Sequence, residues 1–90
     1  MPSFLVEIYL ARSQAEERMD RERKVRRAAE ELTSKRTRVR FEGSIHIPED
    51  EVCFFLFDAT SGRAAALAAE RAGLEPLRVV EAVSSRKEEK

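Results

Sequence analysis

His46 and Cys53 are the chain's one histidine and one cysteine, and they flank a short turn at Pro48-Glu49-Asp50. Imidazole and thiolate are ligands that suit nickel, copper or zinc. As a pair they could also serve as base and nucleophile, but that chemistry needs a group to orient the base and an oxyanion hole, and no motif supplies either. If the hairpin loop has an even number of residues, Ile47 pairs with Val52 and His46 sits directly across from Cys53. An odd loop slips the register by one and puts the two on opposite faces. Glu42, on the same side of the alternation as His46, is the third candidate ligand. The competing reading is structural: a partly buried thiol beside an imidazole at the solvent edge.

A second group carries different chemistry. Glu7 and Tyr9 fall on one side of the first predicted strand, and Phe55 and Phe57 are assigned to the same side of the third. A carboxylate among aromatic side chains must find a partner or take up a proton. Glu7 could therefore line a small pocket with Tyr9, Phe55 and Phe57 and act as a general base. The alternative is an ion pair with an arginine such as Arg40 or Arg78.

The elements that would position these residues follow from hydrophobic period. Phe4, Val6, Ile8 and Leu10 alternate with Leu5, Glu7 and Tyr9, which predicts a strand. Ser13-Gln14-Ala15-Glu16 fits a capping box ahead of a helix that runs to about Ser34. Its second half has an apolar stripe of Val25, Ala28, Ala29 and Leu32. Arg18, Met19 and Arg21 spoil the stripe earlier, so the first turns are expected to be exposed or bent. Val39, Phe41, Ile45 and Ile47 mark the second strand, with Gly43 as a potential bulge. Val52 to Asp58 is apolar on both sides, the pattern of a central strand. Ser61 or Thr60 caps an alanine-rich second helix that Gly73 and Pro76 terminate. Leu77 to Val83 is the last strand. The order β-α-β-β-α-β predicts an α+β sandwich, a four-stranded antiparallel sheet with both helices on one face.

Two helices cover one face, so the other carries the functional expectation. The helix side is assigned Phe4, Val6, Ile8, Phe41, Ile45, Phe54 and Leu56. The open side is assigned Leu5, Glu7, Tyr9, Arg40, Glu42, Ser44, His46, Cys53, Phe55 and Phe57. Burying each large apolar group is worth roughly 1.5–3 kcal/mol, so Leu5, Phe55 and Phe57 predict an interaction surface. A two-fold homodimer is the simplest way to cover it.

Ninety residues make one domain, expected over 1–84, with a disordered polar tail at 85–90. Lys+Arg and Asp+Glu are both 17, but residues 12–40 hold 11 basic and 6 acidic groups. A solvated helix surface accounts for that excess, and a weak anion site is the alternative. A lone cysteine, no signal peptide and no apolar run of membrane-spanning length predict a cytoplasmic protein. RNA-recognition domains share this element order, but residues 50–57, DEVCFFLF, lack their glycine and basic positions. Neither nucleic acid nor membrane is expected as a partner.

Several segments together resemble the small proteins of domain-of-unknown-function family 4242. They are Phe4-Leu5-Val6-Glu7, Val39-Arg40-Phe41-Glu42-Gly43-Ser44-Ile45, Cys53 through Ser61, and Ala69-Glu70-Arg71-Ala72-Gly73-Leu74 leading into Arg78 to Val83. The resemblance spans roughly residues 3–83. It implies a ferredoxin-like fold, commonly dimeric as an α+β barrel, and some members are described as nickel-binding. Nickel here would fall to His46, with Glu42 and Cys53; at the position of Phe55 relatives often carry cysteine. The function expected is a homodimeric protein that binds a metal ion or small ligand at the sheet-face interface. The alternative is a cofactor-free monooxygenase- or isomerase-like enzyme of the dimeric barrel type.

Overall fold

The structure, a computed structural model, describes residues 1–83. The expected polar tail at 85–90 lies outside the described residues. Four strands, β1 (Ser3–Tyr9), β2 (Val39–Ile47), β3 (Val52–Ala59) and β4 (Arg78–Ala82), form one antiparallel sheet in the order β2-β3-β1-β4. Helices α1 (Arg18–Ser34) and α2 (Gly62–Arg71) supply the crossovers. Each crossover joins strands consecutive in sequence but separated in the sheet by one other strand, β1 and β2 by β3, and β3 and β4 by β1, and both helices pack on the same face.

Alternation in β1 sends Val6 and Ile8 to the helix side, where both are buried. Across the ladder Val6 pairs with Phe55, Phe4 with Phe57 and Ile8 with Cys53, and directly opposed residues share a face. Cys53, Phe55, Phe57 and Ala59 are therefore core, all fully buried with Val25, Ala29 and Leu32 of α1 and Ala65, Ala68 and Ala69 of α2. Phe41 packs its ring against Phe55 and Phe57 with centroids 5.8 and 5.7 Å away. The small alanine face of α2 lets it lie close over the sheet.

This overturns the sequence assignment of β3. Phe55, Phe57 and Cys53 do not face the open side; Phe54 and Leu56 do, opposite Glu7 and Leu5. Residues 52–57 are apolar on both sides and carry no signal of which side is which, so that stretch fits either register. In β2 the first residues hold to expectation, with Phe41 inward and Arg40 outward. A bulge between Phe41 and Gly43 then shifts the ladder. Beyond it Ser44 and His46 turn to the helix side, and Ile45 and Ile47 to the open side. The glycine marked the bulge correctly, and the inserted residue reverses every side chain after it.

Entry to α1 also differs from expectation. Arg12–Glu17 form a 3-10 helix in which the Gln14 side chain accepts from the Ala11 amide at 3.0 Å. The predicted Ser13–Glu16 box does not form, because the turn starts earlier. No residue of this segment is buried, as its weak apolar stripe implied. At α2 the Ser61 hydroxyl accepts from the Ala64 amide at 3.1 Å. Gly73 takes φ +87°, and the Leu74 amide donates back to the Ala69 carbonyl at 3.0 Å, closing a Schellman motif.

Candidate functional site

Two groups of sequence-predicted residues are separated by the sheet. On the helix side, the four-residue connection 48–51 sets Ile47 opposite Val52 and His46 opposite Cys53. The expected His/Cys juxtaposition is present. Glu42 does not join it: as the bulge residue it points the other way and its carboxylate accepts from Arg40. The metal set His46, Cys53, Glu42 is thus split, and among the described residues no three histidine, cysteine or carboxylate groups converge on a metal position.

The chemistry of the remaining pair is further constrained. His46 Nε2 lies 3.0 Å from the Leu10 carbonyl; a carbonyl only accepts, so Nε2 carries a proton and donates to it. Cys53 is fully buried. Burial pushes its thiol above the ordinary range, with Arg18 and Arg21 acting against the shift and Glu22 reinforcing it. A metal there would have to displace that proton. Above the pair, the Ser44 hydroxyl donates to the Glu22 carboxylate, so an α1 carboxylate is tied to the same corner.

On the open face, Leu5, Glu7 and Tyr9 of β1 lie beside Leu56, Phe54 and Val52 of β3 in that order. Ile45 and Ile47 extend the row on β2, and Val80 on β4 faces Leu5. Among the described residues no helix crosses this side. Glu7 is opposite Arg78 and its carboxylate accepts from Arg78 Nε at 3.0 Å. The ion-pair alternative holds, and a pocket of Glu7 and Tyr9 with Phe55 and Phe57 does not form, since the two phenylalanines are behind the sheet.

Asp58 escaped the sequence reading. It is 2% exposed, at the open-face end of β3. It accepts from the Ser3 hydroxyl at 2.9 Å and from Arg40 at 3.2 Å. Arg40 also meets Glu42, and these two carboxylates hold its guanidinium protonated more firmly than usual. A signal was available: Asp58 follows Leu56 by two positions, so a buried acid shares that side. The sheet face therefore has an apolar middle, an ion pair at one end and a carboxylate–arginine network at the other.

No family model matches the chain, and no curated protein does. Among solved structures it is similar to SCO4226 of Streptomyces coelicolor A3(2), with a TM-score of 0.72 and 18% identity over 91% of this chain and 98% of that one. The likeness extends over the whole sandwich, and with the element order and antiparallel sheet above it makes the fold ferredoxin-like.

Proposed function

We propose that this chain works as a cytoplasmic homodimeric binding module of the kind resembled in family 4242, joined through the uncovered faces of its two sheets. The observation that carries the reading is the row Leu5, Phe54, Leu56, Ile45 and Val80 across four adjacent strands, with no element of the described residues over it. Four strands at about 4.8 Å and seven residues at about 3.3 Å give a patch of about 450 Å² before side-chain relief. Stable dimers bury roughly 600–1,000 Å² per partner; the flat area falls short of that, so the dimer expected is one that dissociates on dilution. The Glu7–Arg78 pair at one end would line the space between the sheets and select a small polar ligand there. A single buried cysteine suits a reducing compartment, and among the described residues no helix is long and apolar enough to cross a membrane.

Nickel is the ligand that the family resemblance suggests. His46 and Cys53 lie on the helix side, so sheet-face pairing would not bring the two copies of this pair together. The dimer reading stands without the metal.

Sedimentation equilibrium tests it. The wild-type chain should sediment as a dimer at high concentration, and Leu56→Arg as a folded monomer. Ile45→Lys, at a position 60% exposed in the single chain, should do the same if the first variant folds poorly. A wild-type monomer at high concentration, or variants that remain dimeric, would overturn the proposal.

A further inference from the structure

A cleft of about 500 Å³ opens at the end of the sheet, between the entry to α1 and the loop joining α2 to β4. Its volume is within the range of small-molecule sites. Ile8 and Leu74 form a buried floor, while Tyr9 and Leu77 are 53% and 60% exposed at its mouth.

The backbone beside them is unfinished. The Glu7 carbonyl accepts from the Leu77 amide at 2.7 Å. Two residues on, Tyr9 directs its own N–H and C=O to the same side of β1. There β4 has not begun, and neither group has a backbone partner among the described residues.

The charges of the lining mostly cancel. Glu17 pairs with Arg21 at 3.1 Å and Asp20 with Lys24 at 3.3 Å. Glu75, also at the cleft, has no ion pair among the described residues. What is left over is therefore one carboxylate and the Tyr9 backbone N–H and carbonyl, beside an apolar floor. An ammonium group can donate to the carboxylate and to the carbonyl.

We propose that this cleft binds a small amphipathic primary amine, its cation held by Glu75 and the Tyr9 carbonyl and its apolar body against Leu77 and Leu74. The site is on the helix side of the sheet end and does not depend on dimerisation.

Phenethylamine is a suitable probe, with phenylacetate as its charge-reversed counterpart. In amide NMR titrations of the full chain, phenethylamine should give saturable shifts at Tyr9, Gly73 and Leu77, with a Kd of about 1 mM. Glu75→Gln should weaken it about tenfold, and phenylacetate should produce no saturable shift. The same titration on Leu56→Arg should match wild type, which separates this site from the interface. No saturable shift, equal response to phenylacetate, or unchanged affinity in Glu75→Gln would each overturn the proposal.

Discussion

Cys53 shows how burial decides what a residue can do. Its neighbours include the ingredients of a reactive site, with His46 opposite and two arginines on α1, yet the thiol is sealed in the core and held protonated. In the unfolded chain a thiol ionises near about pH 8.5. Folding raises that value, so the folded state keeps a proton that the unfolded state releases. The stabilisation is complete below the unfolded pKa and is lost as pH rises toward the folded one. Denaturant titrations should show wild type losing stability relative to Cys53→Ala above about pH 8.5, by up to about 1.4 kcal/mol per pH unit. A difference that stays flat to pH 10 would mean the native thiol ionises freely. The sequence left the pairing of His46 with Cys53 to the parity of the hairpin loop, and the four-residue connection decides it. The depth of the pair was not legible, because depth depends on which side of β3 meets the helices.

At the scale of elements, periodicity located every strand and both helices but could not orient them all. Amphipathic β1 faced as its own pattern dictates. β3 is apolar on both sides up to Phe57, and the one residue that distinguishes its faces is Asp58, on the side of Phe54 and Leu56. In β2 one inserted residue at the bulge reversed Ser44, Ile45, His46 and Ile47 together, so the candidate metal set divided between two faces. The end of α2 was more transparent, since glycine followed by Leu-x-Pro has a single local meaning. Gly73 holds φ +87° with open space where a Cβ would stand. Gly73→Ala should therefore destabilise by backbone strain alone, about 1–2 kcal/mol, read as a lower urea midpoint at unchanged m-value. No change in midpoint would show that the left-handed turn is not what ends the helix.

For the whole molecule, the balance between a small core and an uncovered face sets the expectation. The core is a single cluster between one side of the sheet and two helices, and a domain of this size has little stability in reserve. Covering the open face of two chains together would add burial that neither achieves alone, and folding would then be coupled to association. Mass action gives that coupling a measurable form: a hundredfold rise in protein concentration adds about 2.7 kcal/mol per dimer. Two ninety-residue chains unfold with an entropy of about 0.4 kcal/mol/K. The wild-type Tm should then climb by about 7 °C over that range, while Leu56→Arg, unfolding as a monomer, should keep one Tm throughout. The net charge of zero means that little long-range repulsion opposes the approach of two copies, so the shift should persist at low salt. A wild-type Tm independent of concentration would place the sheet face in water in the folded state and remove the thermodynamic reason for the dimer.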